Sequence, residues 1–255
     1  MGAQNPEAGS GPEMSTDVDQ LIASSPLLGS LTGEDLPRLL DAGHIVQRIT
    51  GRGLLIEAED AAVVVIQGTA SSRAMSTAGE EYLRRFHGPG ETVGLTVALG
   101  LRDDLVILLA ASPVAVLKLP GSDLRRLVSD HAGIARACLR STAVQLVQAH
   151  RDEAVLTGAS ASQRVAVRLV ELAERWGRPE RDGIVVGLRL TQEELASWAR
   201  ASRESTAKAL HQLREAEVLI TGRRQLVVTD LPALRRRAAH PPEDPTIRAL
   251  LGQIG

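Results

Sequence analysis

Arg203, Glu204 and Lys208 stand at spacings of one, four and five, which places all three on one face of a helix. Such a trio can read base-pair edges. Arginine bonds guanine bidentately, glutamate accepts from the cytosine amino group, and lysine reaches guanine or phosphate. A solvated helix face carrying a Glu204–Lys208 pair would use the same residues. The flanking segment, TQEELASWARASRESTAKALHQLR (191–214), supplies the context. Thr191 with Glu194 three residues on is a capping box. EELASWA predicts a short helix with an apolar face at Leu195 and Ala199. A turn through Arg200 and Ala201 leads to Ser202, a second N-cap, with Ser205 at its third position. The second helix is predicted to bury Thr206, Ala209, Leu210 and Leu213. Two short helices joined by a tight turn make a helix-turn-helix. Residues 215–220, the turn Thr221-Gly222-Arg223-Arg224 and residues 225–229 then predict a β-hairpin. A hairpin there is a wing, with Arg223 and Arg224 at its tip where a phosphate backbone would pass. Thr191, Gln192, Ser202 and Ser205 at the helix starts complete the candidate DNA contacts.

The elements that must position this motif lie upstream. Residues 1–16 (MGAQNPEAGSGPEMST) lack periodicity and read as a disordered tail. Two short helices fit between Asp19 and Ala42, the second capped by Thr32. From Ile45 to Leu119, β-prone runs recur between Gly and Pro turns: HIVQRI, GLLIEA, AAVVVIQGTASSR, EEYLRRFH, ETVGLTVAL, LVILLAA and AVLKL. Many short strands of this kind predict an antiparallel sandwich or roll. Ser122 is expected to cap a short helix, DLRRLVSD. A long helix follows over Ala132–Leu156, roughly 37 Å at 1.5 Å per residue. Leu139, Leu146 and Glu153 repeat at seven, as do Thr142, Ala149 and Leu156. That seam fits either a helix packed on its own domain or a parallel dimer contact. TGASAS (157–162) reads as a hinge, QRVAVRLVELAERWG as a helix, and RPERDGIV as a loop leading to a strand. The domains expected are a tail (1–16), a β-roll (17–131), a dimerisation helix (132–157), a winged helix-turn-helix (158–238) and an extension (239–255). Within the extension, Thr246 to Leu251 fits a docking helix or a frayed end.

Composition excludes several alternatives. The chain has 255 residues, 44% hydrophobic and 24% charged, enough apolar mass for a real core. Its longest apolar run, Leu105–Leu117, is 13 residues and holds Ser112 and Pro113, against the ~20 a membrane helix needs. No basic-plus-apolar leader pattern occurs, so a cytoplasmic protein with no membrane partner is expected. One cysteine, Cys138, excludes an internal disulfide and any thiolate cluster. His44 or His87 would be the haem ligands available, and each reads as a structural or exposed histidine, so no cofactor or metal is expected. No nucleophile–base pairing stands out, and no enzyme is expected. The net charge of −2 conceals an asymmetry: residues 160–240 hold 15 Arg and Lys against 10 Asp and Glu. A basic C-terminal portion fits a polyanion partner.

Residues 25–237 resemble the family of the cAMP receptor protein and the FNR regulators. S-R-E-[ST]-x-x-[KR], here Ser202 to Lys208, is that family's recognition-helix signature. Ile66-Gln67-Gly68 and Gly88-Pro89-Gly90-Glu91-Thr92-Val93-Gly94 match the landmark turns of its cyclic-nucleotide roll. The resemblance implies an α+β protein: an N-terminal antiparallel β-roll, a long dimerisation helix and a C-terminal winged helix-turn-helix. It implies base-reading roles for Arg203, Glu204 and Lys208, the last replacing the family's arginine. It also implies a homodimer with double-stranded DNA and RNA polymerase as partners, and Leu139, Thr142, Leu146, Ala149 and Leu156 in the dimer seam. The family's nucleotide sensors follow that last glycine with Glu for the ribose. About ten residues on they carry Arg-Ser or Arg-Thr for the phosphate. Here Gly94 precedes Leu95, and the later pair falls on Leu105-Val106. Arg102, the nearest cation, is followed by Asp103 and Asp104. The expected pocket (Gly90, Glu91, Gly94, Leu95, Arg102, Leu105, Val106) is therefore degenerate, with Leu95, Leu105 and Val106 packing into it. The effector is unknown, and cAMP is not expected. A sensing or protein-interaction module with a purely structural helix-turn-helix is the competing expectation.

Overall fold

The computed structural model describes residues 13–48, 54–57, 60–75, 79, 81–101, 107–188, 190–222 and 226–238. The strands β1 (His44–Arg48), β2 (Leu54–Glu57), β3 (Ala61–Gln67), β4 (Ala70–Met75), β5 (Glu81–His87), β6 (Thr92–Val93), β7 (Ile107–Ala110) and β8 (Val114–Pro120) form two antiparallel sheets. Their orders are β1-β8-β3-β6 and β2-β7-β4-β5. Alternation along β3 explains why its run AAVVVIQ is buried on both sides. Val63 and Val65 face the second sheet and pack with Ala70, Leu108, Ala110 and Val116. Ala62 and Val64 face the other way, against Leu95, Leu117, Leu119, Leu124 and Ile134. Gly68, at φ +78°, makes the β3–β4 turn, and a Cβ there would stand 1.9 Å from the Pro113 carbonyl oxygen.

Helices α1 (Glu13–Ser24), α2 (Asp35–Asp41), α3 (Leu95–Ala98) and α4 (Gly121–Asp130) line the first sheet's outer side. Four expectations are corrected here. The tail is shorter than 1–16, because α1 begins at Glu13 and its Ile22 packs on the roll core; residues 1–12 lie outside the described residues. Thr32 does not cap α2. Glu34 takes that place, and Thr32 contributes only its carbonyl oxygen to the Asp35 N–H, at 3.2 Å. Ser122 does not cap α4, which already begins at Gly121 after Pro120. The run ETVGLTVAL is a strand only at Thr92–Val93. Gly94 turns left-handed (φ +77°), and Leu95–Ala98 form α3 because helix buries Leu95 and Ala98 in the sheet's outer core.

The long helix α5 spans Ala132–Gly158. Ile134, Ala137 and Cys138 bury its first turns against the roll, while Leu139 and Leu146 are 70% and 55% exposed. The break at Ala159–Ser160 is short. Ser160 immediately caps α6 (Ala161–Trp176) through a capping box with Gln163. RPERDGIV is itself a hairpin, a further correction: β9 (Gly177–Glu180) pairs with β10 (Gly183–Val186). α7 (Gln192–Trp198), α8 (Arg203–Glu215), β11 (Leu219–Thr221), β12 (Leu226–Val228) and α9 (Leu231–Ala238) complete the chain's second half. The small sheet runs β11-β12-β10-β9. Its core joins Val165, Leu169, Leu172, Trp198, Leu210, Leu213, Val228 and Leu234, and it also takes in Leu83 and Phe86 from β5 of the roll.

Candidate nucleic-acid interface and effector cavity

Both helix-turn-helix caps form as their residue types dictate. The Thr191 hydroxyl accepts from the Glu194 N–H at 3.1 Å, and the Glu194 carboxylate accepts from the Thr191 N–H at 2.9 Å. The Ser202 hydroxyl oxygen accepts from the Ser205 N–H at 3.0 Å and donates to the Ser205 hydroxyl at 2.9 Å. α8 buries Thr206, Ala209, Leu210 and Leu213, leaving Arg203, Glu204 and Lys208 exposed together near its N-terminus. Gln192 is exposed at the start of α7. Among the described residues no Glu204–Lys208 ion pair forms. Arg203 instead pairs with Glu193 of α7, both ends solvent-exposed. β11 and β12 pair antiparallel from Leu219–Val228 to Thr221–Leu226, which forms the wing. Arg223 and Arg224 at its tip lie outside the described residues.

Two arginines that sequence reasoning missed hold this motif in place. Arg164 of α6 donates to three carbonyl oxygens: Ala159 at 2.7 Å, Ala199 at 2.9 Å and Arg200 at 2.8 Å. It thus ties the end of α5 to the turn between α7 and α8. That turn holds Arg200 left-handed, at φ 47°, a conformation that costs a residue with a Cβ about 1–2 kcal/mol. Arg73 of β4 reaches Glu194 at 2.6 Å with both side chains nearly buried. Beside it the Leu83 N–H donates to the Ser197 hydroxyl at 3.0 Å. Phe86 meets Trp176 and Trp198 edge-on, at 5.9 and 5.1 Å between ring centroids. Arg168 stacks 5.0 Å over Trp198 while paired to Asp152 and Glu171. The sole sequence hint was the rarity of aromatic side chains, because partners 114 and 121 residues apart leave no local pattern.

A cavity of about 360 Å³ lies between the roll and α5. Glu91, Thr92 and Gly94 line it from the landmark turn, Ser72, Arg84, Arg85 and His87 from β4 and β5, and Thr142, Gln145, Leu146 and Ala149 from α5. Three residues assigned to the dimer seam therefore also face this cavity. Leu95 does not line it. Its side chain is 1% exposed in the roll core, so it cannot fill the space as expected. Arg102, Leu105 and Val106 lie outside the described residues, as does the Leu156 side chain. Gly90 is left-handed at φ +85° and packs on Ser24. Glu91 is the electrostatic centre of the wall. It accepts from Arg175 at 2.7 Å and from the Gly88 N–H at 3.2 Å, and its carboxylate lies 3.4 Å from His87 Nδ1. Burial alone would push its pKa up. The His87 hydrogen bond and the charges of Arg175 and Arg85 outweigh that and hold it down, at about 2. Burial lowers the pKa of His87, favouring a neutral ring that bonds the Ser72 hydroxyl at 2.8 Å.

With this geometry in place, residues 163–237 match the Crp-like helix-turn-helix domain family. Its DNA-binding half thus carries a Crp-like helix-turn-helix, and the likeness to CRP-type regulators extends over most of the chain. The chain is 26% identical over 226 residues to the "CRP-like cAMP-activated global transcriptional regulator" of Mycobacterium tuberculosis (strain CDC 1551 / Oshkosh), covering 87% of this chain and 100% of that relative. Its fold is shared with the c-di-GMP responsive global regulator CLP of Xanthomonas campestris, at 22% identity, TM-score 0.65, and coverage of 77% and 98%. It is shared equally with a CRP-family transcriptional regulator of Thermus thermophilus, at 23% identity, TM-score 0.63, and coverage of 77% and 96%. The expected α+β architecture of this family is the one observed, and the chain is a transcriptional regulator with a DNA-binding helix-turn-helix. Among the described residues no helix is long and apolar enough to cross a membrane.

Proposed function

We propose that this regulator binds a pseudo-palindromic operator as a homodimer in the cytoplasm, where RNA polymerase is its further partner. The observation that carries this reading is α8: a capped helix with one face buried and Arg203, Glu204 and Lys208 exposed on the other, at the end that enters a major groove. Thr191, Gln192, Ser202 and Ser205 sit at the helix starts, where N–H groups and hydroxyls bond phosphate, and Arg223 and Arg224 extend the contact along the wing. A second copy covers the exposed Leu139 and Leu146 of α5, with Thr142, Ala149 and Leu156 continuing the seam. Half-site centres then stand one helical turn apart, about 34 Å. Selection of bound duplexes from a random pool tests this. Arg203→Ala is expected to relax preference at one position per half-site and cost about 1–3 kcal/mol; unchanged preference overturns the assignment.

The effector is not cAMP in this reading. The position after Gly94 carries Leu95, turned into the core, where the family's nucleotide sensors carry a ribose-binding Glu. In the sequence register of the family's sensors, Leu105 and Val106 replace the Arg and Ser or Thr that hold the cyclic phosphate. Two or three missing charge-assisted bonds at about 1.5–3 kcal/mol each remove roughly two to six decades of affinity. Calorimetric titration with cAMP and cGMP tests it. Binding tighter than about 10 μM (roughly −7 kcal/mol), lost in Arg102→Ala, overturns it.

A further inference from the structure

Arg200 closes α7 in the left-handed conformation that glycine serves best. Its N–H bonds the Ser197 carbonyl oxygen at 3.1 Å, and the Ala201 N–H bonds that of Ala196 at 2.9 Å. Arg164 donates to the Ala199 and Arg200 carbonyl oxygens, which holds this backbone conformation in place. Glu217 closes α8 in the same way, at φ 55°. The two differ in charge and place. Glu217 puts an anion at the far end of α8. Arg200 puts a cation three residues before Arg203, beside the capped start of the same helix. Its side chain is exposed, and among the described residues it forms no ion pair, whereas Arg73, Arg164, Arg168, Arg175 and Arg203 are all engaged.

We propose that Arg200 is a further DNA contact, directed at a backbone phosphate beside the groove that α8 enters. The inference rests on the reading of α8 as the base-reading helix. A phosphate fits better than a base edge. In such a pair the first helix crosses the backbone, and only the opening residues of the second reach the bases. The turn between them borders the backbone. Arginine at this position adds positive charge where the N-terminus of α8 already favours an anion.

The test pairs two substitutions with opposite structural consequences. Arg200→Gly relieves the strain and removes the charge; Arg200→Gln keeps the strain and removes the charge. Both are measured on a selected operator and on random duplex, across a salt series, with thermal unfolding recorded alongside. Both variants are expected to lose roughly tenfold in affinity on either DNA, and to flatten the slope of log affinity on log salt by about one per protomer. Arg200→Gly is expected to melt about 2–8 °C higher despite its weaker binding, and Arg200→Lys to restore the slope. Wild-type slopes in Arg200→Gly and Arg200→Gln, with Arg203→Ala still losing base preference, would overturn this proposal alone. A flat slope in the wild-type protein would overturn it together with the reading on which it rests.

Discussion

Replacing Phe86 by alanine should separate the roll from the DNA-binding half before either unfolds. Phe86 is 2% exposed and is the chain's one phenylalanine, and it meets both of the chain's tryptophans. Truncating a buried phenylalanine costs about 3–5 kcal/mol, part of it the two edge-on ring contacts at about 0.5–1.5 kcal/mol each. At about 2–4 °C per kcal/mol for a protein of this size, the melting temperature should fall by roughly 6–20 °C. The loss is local to the junction. The β4–β5 pairing at Ser71–Phe86 is made by backbone groups and survives the substitution. Tryptophan emission reads the junction directly, because Trp176 and Trp198 are the only indoles. The Trp198 N–H is buried without an acceptor among the described residues, so water reaching it should shift emission to the red under native conditions. Val65→Ala, deep between the two sheets, is the control: it should lower the melting temperature with no native-state shift. If Phe86→Ala keeps wild-type emission and loses under about 1 kcal/mol, far below the cost of emptying such a site, Phe86 does not hold the two halves together.

Three more outcomes are expected. Glu193→Gln frees Arg203 from an exposed pair worth at most about 1 kcal/mol, so duplex binding should tighten by up to about fivefold; weaker binding in titration would show that Glu193 does not compete with DNA. Leu146→Glu should give monomers on sedimentation and abolish operator binding, because twofold symmetry buries the carboxylate twice; a dimer would place the interface elsewhere. Acid should destabilise the protein in two windows. The fold lowers the pKa of His87, so the unfolded chain binds its proton more readily and stability falls as pH drops below about 6.5. The Glu91 carboxylate contributes fully above 4.5 and is lost as pH falls toward 2. Urea midpoints against pH should show both, and Glu91→Gln should flatten the lower window.

What the sequence disclosed is what short-range chemistry encodes. Thr191 and Ser202 announced their helices because a cap and its partner lie three residues apart, and the strand runs announced the roll through β-branched residues between glycine turns. Leu95–Ala98 misled because LTVAL favours strand in isolation, yet a left-handed Gly94 and a place in the core made it helix. Only the start of α1 was hidden, because Glu13–Thr16 continue an upstream stretch without apolar periodicity. The junction was illegible because its partners are distant in sequence: Arg73 finds Glu194 across 121 residues, and Arg164 finds Ala199 and Arg200 across 35 and 36.

The junction also explains why a roll and a helix-turn-helix in one chain are mechanically joined. Strict alternation would send Leu83 and Phe86, three apart, to opposite sides of β5. The register slips between Ser72 and Arg73, so that Ser72 faces Arg85 while Arg73 faces Leu83, and Arg84 is the extra residue. That bulge turns Leu83 and Phe86 to the same side, into the core around Trp198. It leaves Arg84, Arg85 and His87 lining the cavity. One seven-residue strand therefore carries the cavity wall and the plug of the DNA-binding domain. Glu91 ties the same wall to Arg175 of α6, and Arg164 of α6 holds the turn before α8. A ligand that repositioned β5 by even part of a side chain would have to move Phe86 against Trp198, because cores this dense do not deform smoothly.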